Sequence, residues 1–173
     1  KCEPYIPDRL EEGYGLNMAA MDTIKSRGAS LIVTVDCGIT AAQEAAYAAS
    51  LGMDMIVTDH HECGACPLPE AVAVVDPKRP DGSYPNADLA GVGVAFKLLC
   101  AVEGGPEQIL DGYADLIATG TIADVMPLTG ENRYIVRRGL AMLANSSRPG
   151  IRALLAEAGA LGKRISATTV GFT

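Results

Sequence analysis

Residues that could bind a metal ion are concentrated in the segment IVTDHHECGAC, residues 56–66. The segment holds an aspartate, both histidines of the chain and two of its five cysteines. Carboxylates and neutral imidazoles bind divalent cations, whereas paired cysteines bind zinc or exchange a disulfide. Three interpretations are therefore open: a metal centre, a zinc or redox motif, or a polar loop between two core segments.

The positions of the polar residues along the chain favour the first interpretation. Asp36 comes directly after the apolar stretch LIVTV, and Asp59, His60 and His61 come directly after DMIVT. In an open parallel sheet, ligands bind at the carboxyl ends of the strands, so two successive strands would deliver these residues to one edge. For Asp36 alone, a strand-end turn is the alternative explanation, since aspartate is a common turn former.

The adjacent histidines are expected to have separate roles. Side chains of neighbouring residues on an extended backbone point to opposite sides, so His60 and His61 would rarely bind one ion together. One can bind a cation while the other faces a substrate or orients a ligand. A mixed carboxylate and imidazole set favours Mn²⁺, with Mg²⁺ or Zn²⁺ as alternatives. The competing interpretation is a solvated histidine pair in a loop.

The Cys63 and Cys66 pair is predicted to have no metal or redox role. Zinc ribbons use two such pairs, or one pair with two suitably spaced histidines. A thioredoxin-like motif needs the pair at the start of a helix, but Pro67 and Pro69 follow it here. Two thiols that happen to share a loop explain the spacing better.

Further candidates lie outside that segment. Asp124 stands in the mostly apolar GTIADVMPL, where a carboxylate is costly unless it is paired or metal-bound. Asp115 is expected to face solvent from an amphipathic helix. Asp76 ends a strand but precedes a proline, which a turn explains equally well. Gly91 and Gly93 in AGVGVA could bring backbone N–H groups to a phosphate, or could serve close helix packing.

The elements that must position these residues follow an alternating pattern. Asn17 is predicted to cap the helix MAAMDTIKSR, and Thr40 and Gln43 to form a capping box for AAQEAAYAAS. LIVTV predicts a strand buried on both faces. DMIVT predicts the second strand and AVAVV (71–75) the third. Short strands alternating with helices predict a parallel sheet. The second half predicts helices over 90–102, 106–120, 131–145 and 148–159, and ISATTVGFT the start of a strand or a linker.

Composition limits the class of protein. The chain has 173 residues, 49% hydrophobic and 20% charged, which suits one folded domain and excludes disorder. A net charge of −7 argues against a broad electrostatic surface for nucleic acid, but allows an acidic pocket that holds cations. The apolar stretches are too short to span a bilayer, and no secretion signal opens the chain. We therefore expect a cytoplasmic protein with reduced cysteines, and the start at Lys1 suggests a piece of a longer one.

Taken together and in order, VDCGIT, VTDHHE, LAGVGVAFKLL and GTIADVMPL resemble the DHH phosphoesterase superfamily, and within it the RecJ-type single-stranded-DNA exonucleases. The opening YIPDRLEEGYGLN is similar to the RecJ-type segment before the second catalytic motif. The resemblance implies an α/β catalytic domain over residues 1–145, with a Rossmann-like parallel sheet flanked by helices and a helical second half. Residues 146–173 would be a helix and the start of a linker to a second domain.

The resemblance also implies roles for individual residues. Asp36, His60 and Asp124 would bind divalent cations, commonly manganese, with Asp36 bridging the two ions of the intact enzyme. His61 would contact the scissile phosphate, and Asp59 would orient the histidines. The family's first motif, DxDG, would lie upstream of Lys1, and a DHHA1-type domain would follow. We therefore expect the chain by itself to be weak or inactive.

The expected function is a metal-dependent 5′-to-3′ exonuclease that hydrolyses single-stranded DNA in repair and recombination. Its partners would be single-stranded DNA and single-stranded-DNA-binding protein, with no membrane. One alternative keeps the chemistry but acts on pyrophosphate, oligoribonucleotides or cyclic dinucleotides. Another is a non-catalytic Rossmann-like binding module.

Overall fold

The computed structural model describes residues 2–65 and 67–172. The chain forms two compact units, one reaching Tyr84 and the other beginning at Pro85. The first unit contains α1 (Met18–Ser26), β1 (Leu31–Val35), α2 (Ala42–Ser50), β2 (Asp54–Thr58) and β3 (Ala73–Val75). The predicted division at residue 145 stays a prediction, since it concerns the limits of a catalytic domain rather than of compact units.

The sheet of the first unit is parallel, as predicted, with the strands in the order β1-β2-β3. Val35 of β1 pairs with Thr58 of β2, and Thr58 pairs with Val75 of β3. The three strands therefore end in register. Whatever follows each of them begins at the same edge of the sheet.

The prediction that β1 is buried on both faces is wrong. Ile32 and Thr34 are buried, whereas Leu31, Val33 and Val35 are each about half exposed. β1 is an edge strand of the sheet in the described part of the chain, and the apolar core lies against one of its faces. Its continuous apolar sequence therefore does not report burial on both sides.

Helices α1 and α2 form the core of this unit together with the sheet. Met21 of α1 and Ala45 and Ala48 of α2 are buried in one cluster with Met55 and Val57 of β2. Alternate residues of a strand share a face, which places Met55 and Val57 on the side of the helices. This packing fixes β2 against the two helices and therefore positions the residues that follow β2.

Of the two predicted helix caps, one is confirmed. The Asn17 side chain accepts a hydrogen bond from the Ala20 N–H at 2.7 Å and caps α1 as expected. The capping box predicted from Thr40 and Gln43 is absent, since α2 starts after Ala41 without a side-chain cap. The segment before α2 is instead held by the site described below.

The second unit is helical, as predicted. It contains α3 (Gly91–Glu103), α4 (Glu107–Ala123), α5 (Gly130–Leu143), α6 (Pro149–Glu157) and α7 (Ala167–Gly171). Gly139 of α5 lies so close to α4 that a Cβ there would collide with the Ala114 carbonyl. Among the described residues, no helix is both long and apolar enough to cross a membrane.

Two predictions for this unit are wrong. Asp115 is buried rather than solvent-facing, because its carboxylate accepts hydrogen bonds from the Arg148 guanidinium and the Ser146 hydroxyl, both at 3.1 Å. The final segment, predicted to be the start of a strand or a linker, contains helix α7 and no strand among its described residues, while its role as a linker stays a prediction. Ser166 and Thr169 cap α7 reciprocally, which satisfies the first backbone N–H groups of this short helix.

Candidate metal centre

Asp36 is the first residue after β1 and has an unusual backbone. Its φ of +64° lies in the left-handed region, which side chains adopt at a cost although aspartate tolerates it better than most. Its N–H still donates to the Thr58 carbonyl at 3.0 Å, so the turn begins while the backbone is paired to β2. The Thr34 hydroxyl donates to the Cys37 carbonyl at 2.7 Å and closes the turn. The carboxylate of Asp36 is thus held at the sheet edge.

Asp59, the first residue after β2, fixes the surrounding backbone. Its Oδ2 accepts the Ile39 N–H at 2.9 Å, which anchors the loop after β1. Its Oδ1 accepts the His60 N–H at 2.8 Å and the His61 N–H at 3.3 Å, and lies 2.7 Å from the His61 Nδ1. Burial by itself would raise the pKa of Asp59, but these hydrogen bonds lower it below that of an ordinary carboxyl. Asp59 is therefore an ionised, buried organiser of the site.

The two histidines lie side by side, contrary to the expectation that they point to opposite sides. Their ring centroids are 4.6 Å apart. The expectation assumed extended backbone, but strand β2 ends at Thr58, and the hydrogen bonds to Asp59 turn the chain at this point. His60 is buried and His61 is about half exposed. The two rings therefore share one site but meet different surroundings.

Asp36, His60 and His61 form a cluster that suits a divalent cation. The His60 Nε2 lies 3.0 Å from the Asp36 Oδ1, and one donor atom from each of the three residues lies within 4.8 Å of the others. Ligand bonds to such ions are about 2.0–2.3 Å long, so donors on opposite sides of one ion are about 4–4.6 Å apart. A small adjustment would place all three around one ion. The mixed carboxylate and imidazole chemistry suits manganese.

A cavity of about 340 Å³ lies beside the cluster, within the first unit. Asp59 and His61 form part of its wall, and the loop around Gly38 forms another. Tyr14 and Leu16, from the segment before α1, close a further side. The cluster of Asp36, His60 and His61 therefore borders a cavity that can admit a small part of a substrate.

Other predicted site residues belong to the second unit. Asp124 caps the end of α4 and is exposed, so the argument that burial makes its carboxylate costly does not hold. Val125 follows with a φ of +57°, a rare conformation for a β-branched residue. Gly91 and Gly93 lie in the first turn of α3, where a Cβ at Gly93 would press on Leu89. Metal binding by Asp124 and substrate binding by the two glycines stay predictions.

The cysteines near the cluster have no sign of thiolate chemistry. Burial raises the pKa of the Cys37 thiol, and the charges of Asp59 and Asp36 raise it further. Burial likewise raises the pKa of Cys63, whose thiol donates to the Lys78 carbonyl at 3.6 Å. Cys66 lies outside the described residues, so the pair as a whole stays a prediction.

Asp76 also lies at this edge of the sheet, and the sequence left a strand-end site and a turn as equally good explanations for it. It follows β3 as Asp36 follows β1 and Asp59 follows β2, and it is buried. The signal that identifies it is this third repetition of an acidic residue directly after a strand. The proline after Asp76 made this repetition ambiguous, because aspartate before proline is common in turns.

Comparison with known proteins identifies the origin of this arrangement. Residues 1–121 match the model of the DHH family, N-terminal domain. The chain is 50% identical over 168 residues to the single-stranded-DNA-specific exonuclease RecJ of Bacillus subtilis, covering 97% of this chain and 21% of that protein. It is 41% identical to RecJ of Escherichia coli, covering 96% of this chain and 31% of that protein. The chain thus spans between a fifth and a third of the length of these relatives.

Solved structures agree with this comparison. A crystal structure of exonuclease RecJ bound to manganese matches 98% of this chain and 42% of its own, with a TM-score of 0.79 and 42% identity. The structure of RecJ in complex with Mn²⁺ from Thermus thermophilus matches 90% of this chain and 23% of its own, with a TM-score of 0.73 and 39% identity. The predicted α/β fold and the resemblance of the four ordered motifs are confirmed, and the chain belongs to the DHH family.

Proposed function

We propose that this chain is the metal-binding part of a hydrolase that cleaves phosphodiester bonds of single-stranded DNA from the 5′ end, in repair and recombination. The observation that carries the proposal is the cluster of Asp36, His60 and His61 at the carboxyl ends of two parallel strands. Two relatives whose sequences align over almost the whole chain are single-stranded-DNA-specific exonucleases, and related structures hold manganese.

The proposed metal site contains Asp36 and His60, with Asp124 as a further ligand and two cations in the intact enzyme. When bound, such cations activate water and neutralise the charge that develops on a phosphate. The site holds the Asp36 and Asp59 carboxylates and the chain has a net charge of −7, so positive charge is needed before a phosphate can approach. Bound cations would supply that charge.

His61 is proposed to contact the scissile phosphate. Its ring is about half exposed at the cavity wall, and the Nδ1 is held 2.7 Å from the buried Asp59 carboxylate. That contact leaves the Nε2 as the nitrogen that can face a substrate. Asp59 therefore positions His61 while its backbone contacts hold the loop after Asp36 in place. The neighbouring cavity is at the lower end of the size range of ligand sites and suits one nucleotide-sized group.

Further parts of the proposal concern partners and location. Single-stranded DNA is the proposed substrate, and single-stranded-DNA-binding protein is a proposed partner that would deliver it. The proposed location is the cytoplasm. Gly91 and Gly93 at the start of α3 are proposed to approach the DNA backbone through their N–H groups, since helix starts favour phosphate.

Manganese binding tests the site independently of activity. Calorimetric titration of the protein as its gene encodes it should give a manganese affinity that falls steeply in Asp36→Asn and His60→Ala. Asparagine tolerates the left-handed backbone of position 36, so Asp36→Asn removes charge without a new strain. Asp54→Asn is the matched control, since Asp54 is exposed at the opposite end of β2. Equal affinity in all four proteins would refute the proposed site.

Hydrolysis assays then test the substrate. Single-stranded DNA labelled at the 5′ or the 3′ end should be degraded in the presence of manganese, with the 5′ label released first. Double-stranded DNA, pyrophosphate and cyclic dinucleotides serve as competing substrates in the same assay. Faster hydrolysis of the small substrates would replace the exonuclease function with that of a small-molecule phosphoesterase. Metal binding without hydrolysis of any of them would favour a binding module.

A further inference from the structure

Asp76 lies at the same sheet edge as the proposed metal cluster. It directly follows β3, whose last residue Val75 is in register with Thr58. The Asp59 N–H donates to the Val75 carbonyl at 3.0 Å, which joins the start of the Asp-His-His segment to the residue before Asp76. The backbone pairing therefore places Asp76 beside the segment that carries His60.

The Asp76 carboxylate is buried but only half satisfied by the described residues. Asp76 is 7% exposed, and its Oδ1 accepts a hydrogen bond from the Lys78 N–H at 2.7 Å. Its Oδ2 is buried and has no hydrogen-bond partner in the part of the chain that the structure describes. A buried carboxylate oxygen without a donor is costly, so such an atom indicates a role beyond folding.

The neighbours of Asp76 belong to the site. Burial raises the pKa of Asp76, and the charge of Asp59 raises it further, whereas the Lys78 N–H and His60 lower it. His60 is thus close enough to affect this carboxyl. Asp59 cannot take the same role, because hydrogen bonds from three backbone N–H groups and the His61 ring already use both of its oxygens.

The orientation of His60 defines what its second nitrogen must do. The Nε2 faces the Asp36 Oδ1 at 3.0 Å, so this nitrogen is the one directed at a cation. A neutral imidazole that binds metal through Nε2 carries its hydrogen on Nδ1. Histidine ligands almost always donate that hydrogen to a carboxylate, a carbonyl or a water, and this contact sets the tautomer and the ring orientation.

We propose that Asp76 is a positioning residue for His60: its Oδ2 accepts the Nδ1 hydrogen of His60 through one bridging water. The contact holds the tautomer that presents the Nε2 to the cation. This inference rests on the proposed metal-dependent function, because it assigns Asp76 a role toward that metal.

The test uses Asp76→Asn and Asp76→Leu in the protein as its gene encodes it. Asparagine keeps the shape of the side chain and removes its charge, whereas leucine also removes the acceptor. Asp81→Asn is the matched control, since Asp81 is an exposed aspartate that pairs with Arg79 in the loop after Asp76. Thermal unfolding of each variant shows whether it folds, and Asp76→Asn decides the outcome if the leucine variant does not.

Two measurements are expected to change together. Manganese affinity, measured by paramagnetic resonance titration, should fall about 10-fold in Asp76→Asn and up to about 100-fold in Asp76→Leu, the usual effect of losing a partner of a ligating histidine. In the protein loaded with diamagnetic Mg²⁺, proton NMR should show a hydrogen-bonded Nδ1 hydrogen on His60 that exchanges slowly with water, and this hydrogen should exchange faster in both variants. A role for Asp76 that does not involve the Nδ1 hydrogen would leave that exchange rate unchanged.

The possible results separate this inference from the proposed function. Unchanged manganese affinity or unchanged exchange of the His60 Nδ1 hydrogen in folded variants would overturn the role of Asp76. If the wild-type protein binds manganese but hydrolyses no DNA, the proposed substrate fails and the Asp76 result still decides the inference. If the wild-type protein binds no manganese, the proposed function fails and the inference fails with it, whereas manganese bound with equal affinity by the wild type and the variants overturns the inference alone.

Discussion

The substitution Asp59→Asn tests whether one buried carboxylate organises the site. An asparagine keeps the size of the side chain but replaces one acceptor oxygen with an NH₂ donor. In its better orientation, the oxygen faces the donors of His60 and His61, and the NH₂ faces the N–H of Ile39. Two donors then face each other at a residue that is 1% exposed.

The expected cost follows from these contacts. A buried donor left without an acceptor costs about 1–3 kcal/mol. The remaining hydrogen bonds lose their ionic character, and since charge-assisted hydrogen bonds are roughly twice as strong as neutral ones, this adds about 1 kcal/mol. The free energy of unfolding of the first unit should therefore fall by about 2–4 kcal/mol.

Urea unfolding in the presence of a chelator measures this difference without bound metal. Hydrogen exchange of the Ile39 amide gives a local readout, since its N–H loses the Asp59 acceptor and should exchange faster. Asp54→Asn at the exposed start of β2 is the control, and it should leave both measurements unchanged. A loss below about 1 kcal/mol with an unchanged Ile39 exchange rate would refute the reasoning.

The pH dependence of the same difference gives an independent check. The folded protein lowers the pKa of Asp59, so its ionised form stabilises the fold above the ordinary carboxyl pKa near 3.9. That stability is lost as the pH falls through the lower, folded pKa. The difference in free energy of unfolding between wild type and Asp59→Asn should therefore be largest at about pH 7 and should disappear below about pH 4. A difference that persists in strong acid would show that the asparagine acts by disrupting packing rather than by removing charge.

The second unit offers two matched comparisons. Gly139→Ala should lower the free energy of unfolding by at least about 2 kcal/mol, because the added Cβ collides with α4. Gly112→Ala lies in open space on α4 and should raise the free energy of unfolding by about 0.5–1 kcal/mol. Equal effects of the two substitutions in urea unfolding would contradict the close approach of the two helices. Asp115→Ala should lower the free energy of unfolding by about 1–3 kcal/mol, because it leaves the half-buried Arg148 without its carboxylate partner. Asp111→Ala, at an exposed ion pair, should leave thermal stability nearly unchanged. Similar melting temperatures for the two variants would show that the Arg148–Asp115 pair contributes little.

The sequence by itself was sufficient for the family and the parallel sheet. Strand-end positions placed Asp36, Asp59 and the histidines at one edge, because parallel strands in register must end together. The Asn17 cap was also predictable, since it depends on a contact only three residues away. These features depend on local chemistry or on a pattern that the backbone topology imposes.

Tertiary structure decided the features that depend on which surfaces meet. LIVTV is apolar throughout, yet only its contact with the core shows that Leu31, Val33 and Val35 stand on an exposed face. Asp115 is buried because Arg148 and Ser146, more than thirty residues away, provide its partners. No periodicity in the sequence indicates a contact of that kind.

The same division applies within the site. The sequence showed that Asp59, His60 and His61 follow a strand, but the turn that sets the two rings side by side depends on hydrogen bonds to the Asp59 carboxylate. For Asp76 the sequence left a strand-end site and a turn equally open, and only the strand register and the burial of its side chain place it beside the Asp-His-His segment. Residue type and spacing determined which side chains could bind a metal ion, and long-range packing determined which of those side chains lie close together.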